Sequence, residues 1–437
     1  MIESESLKPN FPPMKVLIIT YYWPPAGGPG VQRWLKFCKY LPQNGIDPIV
    51  ITVKENEATW PIRDSNLVDQ ISDQLEVHST STFEPFELYL KASGKKQVPY
   101  SGFANEEQKT SFFSKLAKFV RGNFFLPDAR LGWNSFAYKK AVELIKSQDI
   151  SVVISTGPPH SSHLIAKKLK KHFGIHWMAD FRDPWTDIYY YKQMYPTLLS
   201  TYLDKRMERN VLQKADVVMG SSPYLTELLR KKIDGNRSKF RFMPNGYDEE
   251  DFPSPRPEIE RFSIVYAGTI GKIYPCHSLV DALLSLNGNK EKWTLKLFGK
   301  ADEEMHQLFG RLGNGFRAFG HIEHKLITTR MAEAELLLLV IPDQNPNQGI
   351  IPGKLFEYIG SGRPILGIGP VYCDAAKIIS ETQSGSFFDY NDVEGIRAYL
   401  QTFEHEKTSK SEQGGLNSIK YLRQNQAIEL AEILKTL

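Results

Sequence analysis

The residues best suited to chemistry lie in the run Gly349-Ile350-Ile351-Pro352-Gly353-Lys354-Leu355-Phe356-Glu357-Tyr358. Pro352 and Gly353 open a helix, since a proline in the first turn gives up an N–H that would have no partner there. Lys354 and Glu357 are three apart, so they share one helix face a turn from its start. A lysine beside free backbone amides suits a phosphate group. A carboxylate one turn deeper can accept both hydroxyls of a ribose, as acidic residues do in dinucleotide sites. An ordinary salt bridge between the two is the structural alternative.

Four other loops carry candidate groups. Gly268 and Gly271 with Lys272 follow an apolar run, where a diphosphate can be admitted and partly neutralised; a surface lysine after a glycine turn is the other reading. Gly27 and Gly28, in the loop Pro24 to Gly30, let backbone N–H groups approach an anion or a sugar. A nicotinamide site would need glycine where Arg33 stands and an acidic residue where Val53-Lys54 stand, so dinucleotide binding is not expected. His160 opens a helix after the run 152–155 and can donate to a sugar hydroxyl or to charge on a leaving group, or else simply pack. Packing is the expectation for His163. Arg182 and Asp183 follow an apolar strand, and such charges are seldom buried unpaired. They form either a pair that orients site groups or a local salt bridge that holds the Pro184-Trp185 turn.

These loops need a frame. Apolar runs at 16–20, 49–53, 152–155, 176–181 and 216–220 alternate with helical patterns such as 134–147 and 159–173. After a turn-rich, charged stretch at 244–262 the rhythm restarts, with strands near 263–268, 294–298, 316–319, 336–341 and 364–368. Continuous apolar strands alternating with helices indicate α/β units with parallel sheets covered on both faces. Ligands then bind at the carboxyl ends of strands, where all five loops fall. A length of 437 residues suits two domains. A net charge of +4 is too small to imply nucleic acid. Three scattered cysteines form no CxxC pair, which argues against a disulfide framework or zinc site.

Taken in order, these motifs resemble the GT-B glycosyltransferases of family 4, the retaining group that builds bacterial surface polysaccharides, including lipopolysaccharide. The resemblance runs from Gly27-Gly28 through Arg182-Asp183-Pro184-Trp185 and Pro244-Asn245-Gly246 to Pro352-Gly353-Lys354-x-x-Glu357 and Gly362-Arg363-Pro364. It implies a GT-B fold, two Rossmann-like domains facing across a cleft: an acceptor-side domain at 1–250, a nucleotide-sugar domain at 251–425, and a last helix, 426–437, crossing back. It implies that Glu357 binds the ribose, Lys354 and Lys272 the diphosphate of a UDP- or GDP-type donor, and the backbone around His321 the base, while Gly27 and Gly28 leave room for the donor phosphate and sugar. Two positions depart from the family pattern. Gly349 stands where a sugar-contacting glutamate is usual, and Ser155-Thr156-Gly157 stand where a histidine is usual, His160 lying a few residues on. A retaining transfer by front-side displacement needs no cofactor, and the lysines take the place of a metal. A sugar-nucleotide epimerase and a degenerate carbohydrate-binding scaffold are the alternatives.

Residues 91–146 contain eleven Lys/Arg against four Asp/Glu and ten aromatic residues. Within this insertion Phe112, Leu116, Phe119 and Val120 fall on one helical face, with Lys115, Lys118 and Arg121 elsewhere. Such a helix either lies in a membrane interface or is a core helix with a solvated basic face. Peripheral membrane contact through 109–125 fits a glycan or lipid-linked acceptor. The first thirteen residues lack the basic start and apolar stretch of a signal peptide. The expected address is cytoplasmic, with the inner face of the cytoplasmic membrane as the refinement.

Overall fold

The apolar runs form the central strands of two parallel sheets in the computed structural model, which describes residues 12–84, 112–287, 292–405 and 416–437. The 91–111 part of the basic aromatic insertion lies outside the described residues. The chain divides into two units: residues up to Pro244 with Gln426–Leu437, and Asn245–Asn425.

The first unit holds seven strands, β1 (Met14–Ile19), β2 (Ile46–Val53), β3 (Glu76–Thr80), β4 (Ile150–Gly157), β5 (His176–Phe181), β6 (Val217–Gly220) and β7 (Phe240–Phe242). Their order is β3-β2-β1-β4-β5-β6-β7, all parallel. Val16 to Ile19 are fully buried, because helices cover both faces and leave no polar alternation on the inner strands. Each such side chain withdrawn from water contributes about 1.5–3 kcal/mol. Ala427, Leu430, Ala431 and Leu434 of the last helix, Arg423–Lys435, join this core.

In the second unit β8 (Glu260–Ala267), β9 (Thr294–Phe298), β10 (Phe316–Gly320), β11 (Ala334–Val340), β12 (Ile365–Ile368) and β13 (Gly385–Phe388) run in the order β10-β9-β8-β11-β12-β13. The segment after Pro244 belongs here because Tyr247 N–H donates to the Tyr421 carbonyl at 3.0 Å. Asp248 also pairs with Arg423 at 3.1 Å, and Tyr247 and Phe252 pack against Gly360.

In each sheet the strand order reverses beside the first strand, between β1 and β4 and between β8 and β11. Loops leave opposite faces at such a point and open a crevice. The glycine loops after β1 and β8, and the loops after β4 and β11, flank these two reversals.

Candidate functional site

In the second unit the site is built around Lys354. The Gly353–Ser361 helix starts after Pro352 and stops at Gly362, whose φ of 71° is the left-handed cap. Leu355, Phe356, Tyr358 and Ile359 anchor it in the core, which turns half-buried Lys354 and Glu357 the other way. Lys354 Nζ lies 3.9 Å from the centroid of the Tyr266 ring, a cation–π contact at the end of β8. Burial pushes its pKa down to about 7, while the Glu357 carboxylate and then Cys276 pull the other way. Tyr358 completes the seat, its hydroxyl accepting from Ala267 N–H at 3.0 Å.

Gly268 follows β8 with φ 123°, and a methyl group on it would lie 3.0 Å from Lys354 Nζ. Gly268 is therefore what lets the turn take a left-handed backbone and the ammonium approach it. The N–H groups of Gly353 and Lys354 find no partner among the described residues, as expected in a first helical turn. The ammonium thus lies beside a glycine turn, and two amides without partners among the described residues open the helix that carries it.

Lys272 stands further out. It is exposed, 3.9 Å from Glu304, and its amide donates to Asp302 at 2.6 Å. It borders a cavity of about 370 Å³ with Tyr274, His277, Glu304 and Arg311, a space that includes neither Lys354 nor Glu357. His321 is exposed after Gly320, next to Phe319, whose ring stacks on Phe298 at 4.6 Å.

In the first unit Gly28 takes φ 112°, and a methyl group on Gly27 would meet Ile62 at 2.7 Å. His160 is buried, stacked on Trp185 at 5.0 Å, and its Nδ1 has no partner. Burial, then His163 and Arg182, push its pKa well below the histidine range, so it is neutral at pH 7. His163 packs on Phe181, exchanges a hydrogen bond with Ser155 at 2.8 Å, and is pushed down by burial to about 3. The packing expected of His163 is what the structure shows.

Arg182 corrects one expectation. It makes no ion pair with Asp183 among the described residues, and Asp183 is exposed. Its guanidinium donates to the Pro158 carbonyl and covers Gly30, where a methyl group would lie 1.2 Å from Nη1. The buried pair is instead Arg33–Asp180 at 3.1 Å, both side chains almost fully enclosed. Asp180 also accepts from Trp34 Nε1 at 2.8 Å and Thr156 Oγ1 at 2.7 Å. Strand geometry explains the switch: Asp180 lies inside β5 and is forced into the core, whereas Asp183 falls beyond its end.

Sequence reading missed Asp180, Tyr266 and Tyr358. Arg33 at a glycine position was the one visible hint of a buried carboxylate; nothing local marks two tyrosines 92 residues apart as one seat.

Two parallel sheets with glycine turns at their carboxyl ends and a lysine–glutamate helix in the second define a GT-B protein. Residues 98–251 match Glycosyltransferase Family 4. The chain is 27% identical over 175 residues to TuaH of Bacillus subtilis (strain 168), which carries a provisional assignment as a teichuronic acid biosynthesis glycosyltransferase. That match spans 37% of the chain and 43% of the relative's length. In fold the chain is similar to sucrose-phosphate synthase from Thermosynechococcus elongatus, with a TM-score of 0.61, 13% identity, and 97% and 98% of the two chains covered. It is similar also to Anabaena Alr3699/HepE in complex with UDP and glucose, with a TM-score of 0.59, 14% identity, and coverage of 97% and 100%.

Proposed function

We propose that this protein is a retaining glycosyltransferase that takes a sugar from a nucleotide-diphosphate donor and adds it to a glycan or lipid-linked acceptor in bacterial surface polysaccharide synthesis. The observation that carries this reading is Lys354, a half-buried ammonium poised near pH 7 beside a glycine turn, on a helix opened by two amides without partners among the described residues. Glu357 lies one helical turn away. An anionic ligand supplies the charge that burial denies the lysine, so the diphosphate and the protonated ammonium stabilise each other.

In the proposed site Lys354 and the Gly353 amide hold the diphosphate, with Lys272 as an outer cation. Glu357 takes the ribose hydroxyls, and Gly268 leaves room for the phosphate. The backbone at His321 meets the base. Within the first unit Gly27 and Gly28 are the candidates for making room for the donor phosphate and sugar, and His160, Arg182 and Asp183 are the candidates for the transfer step. In the transfer the bond from the anomeric carbon to the phosphate oxygen breaks, and a bond to the acceptor oxygen forms on the same face. The acceptor proton goes to the leaving phosphate, whose growing charge Lys354 and the amides stabilise. Neutralisation by lysine and amides makes metal independence part of the proposal. The UDP and glucose bound in the HepE structure support a UDP-type donor.

Calorimetric titration with UDP, GDP, ADP, CMP and NAD tests the site. One diphosphate is expected to bind selectively, and Glu357→Ala to weaken it at least tenfold, about 1.4 kcal/mol. Silence from every nucleotide, or unchanged binding by the variant, overturns the donor site. Product analysis separates transfer from epimerisation, which would alter the nucleotide sugar without an acceptor.

A further inference from the structure

Helix Phe112–Phe124 is not a core helix with a solvated basic face, because its apolar face is outside: Leu116, Phe119, Val120 and Phe124 are all exposed. It does not stand alone. Asn123 clamps it to the start of helix Leu198–Lys214, donating to the Tyr195 carbonyl at 3.0 Å and accepting from Thr197 N–H and Ser200 Oγ at 2.7 Å each. Gly122 seals the joint, since a methyl group there would lie 2.3 Å from the Met194 carbonyl.

The second helix presents the same character. Leu198 is 92% exposed, Leu199 67% and Tyr202 61%. A side chain such as Leu198, left almost wholly in water, costs free energy unless something apolar covers it.

Within these two helices the exposed charges have one sign. Helix Leu198–Lys214 contains two acidic residues, and both are turned inward: Asp204 accepts from Trp185 Nε1 at 2.7 Å, and Glu208 pairs with Lys232 at 2.7 Å. Lys205, Arg206 and Arg209 remain exposed without acidic partners among the described residues. Helix Phe112–Phe124 contains Lys115, Lys118 and Arg121 and no acid. No described helix is long and apolar enough to cross a membrane, so the face suits lying on one.

We propose that helices Phe112–Phe124 and Leu198–Lys214 form one composite face that docks on an anionic lipid bilayer. Leu198, Leu199, Tyr202, Phe119 and Phe124 enter the headgroup boundary, and Lys205, Arg206 and Lys115 meet lipid phosphates. This deepens the lipid-linked acceptor reading, which gives the docking its purpose, but the docking itself involves no donor.

The test is co-sedimentation of the full chain with phosphatidylcholine vesicles, with and without phosphatidylglycerol, at low and high salt. The chain is expected to sediment with phosphatidylglycerol vesicles at low salt and to be released by high salt. Leu198→Ser with Leu199→Ser, and separately Lys205→Glu with Arg206→Glu, are each expected to lower binding at least about tenfold while thermal midpoint and nucleotide binding stay unchanged. Absence of wild-type binding at low salt, or wild-type binding by both variant pairs, overturns the proposal. So does a serine pair that turns a dimer into a monomer in light scattering without any vesicle binding, since a second copy would then cover the face. Vesicle binding that survives while every nucleotide fails to bind would sink the transferase reading and leave the docking face standing.

Discussion

The ammonium of Lys354 and the ring of Tyr266 are 3.9 Å apart, the ring fixed in one core cluster and the lysine's helix anchored in another by Leu355, Phe356, Tyr358 and Ile359. Burial strips water from the ammonium, and the Glu357 carboxylate and then Cys276 only partly offset that loss, so the Lys354 pKa is lowered to about 7. The sign of the consequence follows. A bound diphosphate favours the charged form and raises the pKa, so above pH 7 binding must take up a proton. Affinity is expected to fall by up to about tenfold per pH unit as pH rises from 7. Titrations at pH 8 in buffers of different ionisation enthalpy measure the uptake directly. Lys354→Arg, charged throughout, should flatten the profile. A flat wild-type profile without proton uptake would show that Lys354 does not meet the anion.

Gly30 is the floor on which the Arg182 guanidinium rests. Gly30→Ala forces that side chain away; the fold is expected to survive with a loss of about 1–3 kcal/mol from overpacking. Glycosyl transfer should drop at least about tenfold while nucleotide binding in the second unit is untouched. Adding Arg182→Ala to Gly30→Ala should change little more, because both remove one contact. Additive losses would mean that Gly30 acts some other way.

Asp180 is enclosed with Arg33, and its carboxylate serves three donors. Asp180→Asn keeps the size, removes the charge and leaves a buried guanidinium uncompensated. The expected cost is about 3–5 kcal/mol. Six of the seven tryptophans, all but Trp293, lie in the first unit, so tryptophan fluorescence in urea follows the unit affected. Arg33→Met in the same chain should recover part of the loss. A midpoint unmoved by Asp180→Asn would refute the account of this pair.

Much of this architecture was legible in the residues. The central strands declared themselves because a strand buried on both faces must be apolar throughout, as Val16–Ile19 and Leu336–Val340 are. The short edge strands β3, β7 and β13 did not: Phe240–Phe242 and Gly385–Phe388 carry too little pattern to be seen without a neighbour. The Lys354–Glu357 spacing was equally visible, since helical periodicity is a local property.

Partnership was decided only in three dimensions. Arg182 reads as the mate of Asp183 by adjacency, yet Asp183 falls beyond the end of β5 while Asp180, inside the strand, is enclosed by the core with Arg33, 147 residues away. The inward turn of Asp204 and Glu208 that leaves one helix face purely basic likewise depends on Trp185 and Lys232. By itself the sequence determined the order of elements and which loops carry reactive groups, because propensity and periodicity act between near neighbours. Tertiary structure decided which charges pair, which stay exposed and where Lys354 titrates, because desolvation depends on every segment that packs around a group.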